Sequence, residues 1–433
     1  MNRILAILLF AVAVMCGGCY DKVELNELAV AEMIGLDLSE DGRVLVSVQF
    51  VIPGEISSPA QGSGPTHGTP FYVVEATGAT IPEALSFLQA KVPRRLFTSH
   101  VRVIVLGEEL AKTGVGPVFD SLTRERELRV TSDVVVARGR AADILRASPS
   151  LEKLPSAALR NLLNQRIVPS RSVRKFAIAL IQEGVDPFLP VVELAERTEP
   201  QFPGAGTGAE TGPSRTEGEF EITGIAVFRD DRLVGFVPRE VARGLAWLID
   251  EVTPSTTSIE WPPRGRTEAG VPPGSTAGDG TGGSGGSHTS ESPGSNLLSQ
   301  MLLHAKTRLT PEVRDGEIVI RVAARSVDDI VGNQAGLDLS DPSVIPPLER
   351  AIAERIESRM REILDLAQGV FQADIFGFGA LVHRKHPKLW REIRSDWREI
   401  FSRLKVEISV EVHVKRVGLS NRPATLTPQQ LQR

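Results

Sequence analysis

His100-Val101-Arg102-Val103-Ile104-Val105-Leu106 is a short apolar run carrying one charge, and Ser132-Asp133-Val134-Val135-Val136-Ala137 repeats the pattern further on. Compact β-branched runs of this length read as strands buried on both faces. Between them, Glu108 to Lys112 and Gly116 to Arg124 read as helices. Strands alternating with helices indicate a mixed α/β layer architecture. Upstream, Gly42-Arg43 reads as a turn, and Val44, Val46, Val48 and Phe50 alternate at strand spacing. Thr80 to Ala90 reads as a helix with Thr80 as N-cap and Pro82 in its first turn. This first folded region runs from about Asp21 to Thr198.

Downstream, the stretch 199–219 is rich in Gly, Pro, Thr and charge and reads as a linker. Ile222 to Phe228, a turn at Arg229-Asp230-Asp231-Arg232, and Leu233 to Val237 form a hairpin pattern, followed by a helix from Pro238 to Asp250. The stretch 253–295 is dominated by Gly, Ser, Thr and Pro and reads as a disordered insertion, because it offers too little apolar surface to offset its ordering entropy. Ordered structure is expected again from Leu297. Glu317 to Arg325 and Val406 to Val414 alternate as strands. Pro346 to Gln368 carries Leu348, Ile352, Ile356, Met360, Ile363 and Ala367 at helical spacing, with Pro347 as the start signal and Gly369 as the stop.

The N-terminus speaks to location. Arg3, an apolar run from Ile4 to Met15 and the segment Cys16-Gly17-Gly18-Cys19 have the layout of a lipoprotein export signal, with Cys19 as the lipidation site and 1–18 removed. The apolar run is shorter than the roughly 20 residues a helical span requires. Both cysteines lie in this segment, so a chain cut before Cys19 has no intrachain disulfide and no internal cysteine nucleophile. The expected location is the outer face of a membrane, with no transmembrane span in the mature chain.

Composition narrows the function classes. Acidic residues number 54 against 49 basic, charged residues make up 24% and aromatics only 5%. With no basic block above this background, nucleic acid is not an expected partner. Gly282-Gly283-Ser284-Gly285-Gly286 matches a hydrolase nucleophile pattern in letters only, since it lacks the strand, turn and helix the motif needs. His383 and His386 are three apart without an accompanying carboxylate pattern, so no metal and no cofactor are expected. His413 falls on the polar face of its strand, and Glu349, Glu354, Glu357 and Glu362 on the solvated face of the long helix. Trp390 and Trp397, seven apart, fall on one helical face, either to anchor that helix to a sheet or to contact a partner.

Cys19-Tyr20-Asp21-Lys22-Val23-Glu24-Leu25-Asn26 followed by Ile34-Gly35-Leu36-Asp37 resembles the mature start of the Ger(x)C lipoproteins, the C subunits of GerA-type spore germinant receptors. Arg94 to His100, Gly107 to Ala111, Gly224 to Phe228, Leu233 to Phe236, Asp374-Ile375-Phe376-Gly377-Phe378-Gly379 and Pro387-Lys388-Leu389-Trp390 continue the resemblance in order. It implies an α+β fold of several mixed sheet-and-helix lobes, an N-terminal domain over 19–198 and a C-terminal domain over 220–425. It further implies a non-catalytic subunit anchored to the outer face of the spore inner membrane and assembled with integral-membrane A and B subunits. Asp21, Glu24, Asp374, Gly377, Gly379, Trp390 and Trp397 are its candidate interface or structural residues. The rival readings are a solute-binding lipoprotein delivering a small molecule to a transporter, and an exported hydrolase.

Overall fold

The computed structural model describes residues 24–56, 70–195, 216–261 and 296–416. The first part of the chain contributes β1 (Leu28–Leu38), β2 (Val44–Val51), β3 (Phe71–Gly78), β4 (Arg95–Phe97), β5 (Val103–Leu106) and β6 (Asp133–Ala137). It continues with β7 (Ala147–Ser148), β8 (Arg171–Ser172), β9 (Phe188–Ala195), β10 (Thr216–Glu217), β11 (Glu219–Arg229) and β12 (Arg232–Pro238). A second group follows: β13 (Ser255–Glu260), β14 (Leu297–Arg314), β15 (Glu317–Asn333) and β16 (Lys405–Arg416).

The main sheet runs in the order β12-β11-β9-β6-β5-β1-β2-β3, with β4 also paired to β1 and β8 to β6. Its centre, β1-β5-β6-β9, is parallel. Antiparallel strands flank this centre on both sides. Central parallel strands are covered on both faces, and β5 shows why its sequence is uniformly apolar. Val103 and Val105 enter one core, while Ile104 and Leu106 enter the other. The strand is shorter than expected, because Val101 N–H donates to Thr98 O at 3.0 Å in a turn that precedes it. The 253–295 stretch needs a correction at its start. Ser255 to Glu260 forms β13, paired antiparallel with β14 and burying Ile259. The Gly-rich average of the long segment masked a six-residue β-branched edge strand. Residues 262–295, and 199–215 of the expected linker, lie outside the described residues.

The hairpin β11–β12 follows the linker, yet it completes the first sheet through the β9–β11 pairing. The core on that side runs from Val103 and Val135 through Leu245 and Trp247 of the Arg239–Leu248 helix to the second sheet. This sheet, β13-β14-β15-β16, supports the Ile345–Asp365 helix. All six apolar residues read from the Leu348–Ala367 pattern are buried, the Leu, Ile and Met side chains each contributing about 2 kcal/mol. Gly369 does not end this helix. The chain widens into a π-helical turn, Leu366–Phe371, and stops at Gln372 in the left-handed conformation. Gln368 Nε2 fixes that turn by donating to Phe401 O and Leu404 O at 2.8 and 2.9 Å. Glu349, read as solvated, instead accepts from Val414 N–H at 2.9 Å and caps the end of β16. The Ile81–Gln89 helix follows its sequence signals, with Thr80 Oγ1 accepting from Glu83 N–H at 3.3 Å.

Together these elements form an α+β fold: among the described residues, two large mixed sheets and a two-stranded β7–β10 pair, with helices packed on them. Among the described residues no helix is long and apolar enough to cross a membrane.

Candidate functional site: the Asp374 clasp

Asp374 lies between the π-helical turn and the Phe378–Lys385 helix. It is 2% exposed, and both carboxylate oxygens are fully used. Oδ1 accepts from the N–H groups of Gly377 (2.9 Å) and Phe378 (3.1 Å). Oδ2 accepts from Gly379 N–H (2.8 Å) and from Trp397 Nε1 (3.1 Å). The carboxylate thus caps the first turn of a helix whose N-terminal amides have no intrahelical partner. Gly377 enters that helix at φ 75°, which suits a residue without a side chain. Burial pushes the Asp374 carboxyl up to about 7, against the four donors that favour its anion.

The backbone of Asp374 reaches the other half of the chain. Its N–H donates to Asp186 Oδ2 at 2.7 Å, and its carbonyl accepts from Asp186 N–H at 2.9 Å. Asp186 Oδ1 accepts from Asp230 N–H at 3.0 Å, tying in the β11–β12 turn. Burial raises the Asp186 carboxyl above the usual carboxylate range. Gly184 O accepts from Ala380 N–H at 3.1 Å. The backbones approach so closely here that a Cβ on Gly379 would sit 2.6 Å from Gly184 Cα and 2.6 Å from Trp397 Nε1. Trp390 Nε1 donates to Glu183 Oε2 at 2.8 Å, and Arg394 Nη1 pairs with Glu183 Oε1 at 3.1 Å. The Trp390 indole bond is the largest of the influences holding the Glu183 carboxyl below its usual range.

Trp390 and Trp397 are 2% and 7% exposed, with rings in edge contact at 5.3 Å. They occupy two short helices, Pro387–Ile393 and Trp397–Ser402, separated by a 3-10 turn. Their seven-residue spacing therefore does not describe one continuous helix. They pack against the Asp374 loop and the 183–186 loop. A cleft of about 670 Å³ opens beside them, lined by 179–186 on one side and by Arg394 and Arg398 on the other.

The fold thus brings Asp374, Gly377, Gly379, Trp390 and Trp397 into one cluster. Glu24 is exposed and stands apart from it, before the Leu25–Glu27 turn. Cys19 and Asp21 lie outside the described residues. Sequence reading missed Glu183, Gly184 and Asp186. Their signal was the turn chemistry of Glu183-Gly184-Val185-Asp186-Pro187, which marks a loop without saying what the loop meets. Chemically the cluster fastens backbone. With every oxygen engaged by an N–H donor, Asp374 offers no lone pair to the cleft for proton transfer. Among the described residues, no group of three or more His, Cys, Asp or Glu is placed to hold a metal ion.

Two family profiles match the chain in order: the spore germination protein N-terminal domain over residues 21–194, and the spore germination B3/GerAC-like C-terminal domain over residues 223–418. The chain is 26% identical to spore germination protein KC of Bacillus subtilis (strain 168), with 97% of both chains covered. It is 24% identical to spore germination protein B3 of the same organism, covering 94% of this chain and 96% of the relative. The crystal structure of the GerBC protein superposes with a TM-score of 0.50 at 16% identity, over 88% of this chain and 96% of that one, which supports the same fold. With both domains matched in sequence and the fold shared, the chain belongs to the Ger(x)C family of spore germination proteins.

Proposed function

We propose that this chain is a lipid-anchored, non-catalytic subunit of a nutrient germinant receptor and acts in spore germination. The observation that carries the reading is the end-to-end match to relatives named as spore germination proteins, with both germination domains in order. Gly17-Gly18-Cys19 after a short apolar run supports lipidation at Cys19, and a diacylated cysteine supplies the two chains a stable anchor needs. The partners in this reading are the integral-membrane A and B subunits, and the location is the outer face of the spore inner membrane. Both rest on the family resemblance. The absence of free lone pairs in the Asp374 clasp favours a structural role over a catalytic one.

The test is deletion of the gene in a background lacking related loci, followed by nutrient-triggered germination of the purified spores. A non-nutrient trigger serves as control. The expected result is loss of the response to at least one nutrient class, restored by the wild-type gene and not by Cys19→Ala. The Cys19→Ala chain is also expected to leave the membrane fraction. A deletion strain that responds normally to every nutrient overturns the receptor role. Membrane retention of the Cys19→Ala chain overturns the anchor.

A further inference from the structure

Five residues lead from Cys19 to Glu24, the first described position, and a fully extended chain of that length spans at most about 18 Å. With Cys19 lipidated, the end of the fold that holds Glu24 stays within that reach of the bilayer. Leu25–Glu27 forms a single turn and leads directly into β1. Leu28 pairs in parallel with Arg95, so the starts of β1 and β4 lie side by side at this end. Arg95 Nη2 reaches Glu127 Oε1 at 3.1 Å and brings in the 125–130 loop that precedes β6. The 11 residues of β1 extend about 36 Å. The Ser39–Arg43 turn beyond them is therefore remote from the tether.

The tethered end is also where aromatic rings reach the surface. Among the described residues, Tyr72 at 38% and Phe87 at 48% are the most exposed of the Tyr, Phe and Trp side chains. Tyr72 stacks on Phe50 near the end of β2, level with the start of β1. Burial raises the Tyr72 phenol, and the positive charge of nearby Arg94 works against it. Phe87 lies in the last turn of the Ile81–Gln89 helix. Gln89 Nε2 donates to Arg94 O at 2.8 Å and its Oε1 accepts from Leu96 N–H at 2.7 Å, which folds the helix end onto β4. Arg94, Arg126 and Arg129 are exposed, and among the described residues none of them is in an ion pair. Glu24, Glu27, Glu125 and Glu127 at the same end offset the arginines, so net charge does not select the partner. The pairing of aromatic rings with long cationic side chains does. Amphipathic rings favour the headgroup level, and arginines rest their stems on apolar surface while their guanidinium groups reach phosphate.

We propose, on the reading that Cys19 is lipidated, that this end of the first sheet rests on a phospholipid surface, with Tyr72 and Phe87 among the headgroups and Arg94, Arg126 and Arg129 at lipid phosphates. The test uses the lipidated full chain in vesicles of phosphatidylethanolamine and phosphatidylglycerol, with no other protein present. Cleavage before an acylated Cys19 leaves no free thiol, so an introduced cysteine is labelled alone. Ala90→Cys, just after the Ile81–Gln89 helix, and Glu40→Cys, in the turn beyond β1, each carry a fluorophore that nitroxide-bearing headgroups quench. Quenching is expected to be several-fold stronger at position 90 than at position 40. The contrast is expected to persist when a flexible Gly-Ser insert lengthens the tether. In that lengthened chain, Tyr72→Ser with Phe87→Ser, at unchanged circular dichroism, is expected to bring the two positions to near parity. Equal quenching at both positions, or stronger quenching at position 40, in a chain that still floats with the vesicles overturns the proposal and leaves the anchor standing. A contrast that vanishes on lengthening the tether, or that survives the double substitution in the lengthened chain, also overturns it. A chain that does not float with the vesicles overturns the anchor and the proposal together.

Discussion

Asp374 and Asp328 are both removed from solvent, at 2% and 0% exposure, and burial raises the carboxyl of each, to about 7 and about 6. Their surroundings differ. Asp374 receives four N–H donors and sits where two distant loops close on each other. Asp328, on β15, receives one hydroxyl, that of Ser326 at 2.6 Å, and its Oδ1 has no partner. Its neighbour Asp329 also leaves Oδ1 unpartnered and adds like-charge repulsion. Burial alone therefore does not mark a built site. The number and origin of the donors does: backbone amides fixed by a helix start at Asp374, and a single rotatable hydroxyl at Asp328.

The contrast can be broken most forcefully at the glycine contact. Gly379→Ala forces a Cβ into backbone and indole at 2.6 Å, with an expected loss of about 4 kcal/mol. Urea unfolding measures it, and a loss under about 1 kcal/mol would mean that the clasp yields easily. Next is Asp374→Asn, which keeps the shape but turns an NH2 group toward two of the four donors. Leaving those donors unsatisfied is expected to cost about 3 kcal/mol. A neutral outcome would remove the case for a donor-saturated carboxylate.

Asp328→Asn sharpens the comparison from the other side. A carboxyl raised to about 6 from 3.8 keeps its proton in the folded state where the unfolded chain has released it. Its stabilising contribution is therefore fully present below about pH 4 and is lost as pH rises through about 6. Asparagine does not titrate. The stability of Asp328→Asn relative to wild type is expected to rise between pH 4 and pH 7 by on the order of 2 kcal/mol. A parallel pair of stability–pH curves would place Asp328 in a less desolvated state than its burial implies.

Much of the local structure was legible. Thr80 before Ile81-Pro82 specified a capped helix, the Val and Ile runs specified β5 and β6, and the apolar spacing from Leu348 to Ala367 specified the buried face of the long helix. These are short-range properties, in which cap chemistry and period are set within one or two turns of the residue concerned. The short helices Ala141–Arg146, Pro155–Asn164 and Val173–Ile181 are not among the elements read from the sequence, although Ser172 caps the last of them. The Gly369 stop signal failed because Gln368 finds carbonyl partners on the Trp397–Leu404 segment, which no local rule could supply.

The sequence by itself determined many of the secondary elements, the family and the presence of Asp374, two glycines and two tryptophans near one another along the chain. Only the tertiary structure decided what they hold. Asp186 and Asp374 are 188 residues apart, and they meet because β9 and β11 pair in the main sheet while the long helix returns the chain to its edge. Periodicity fixes which face of an element is apolar. The partner of a polar loop follows from strand order and helix packing, which are properties of the whole fold.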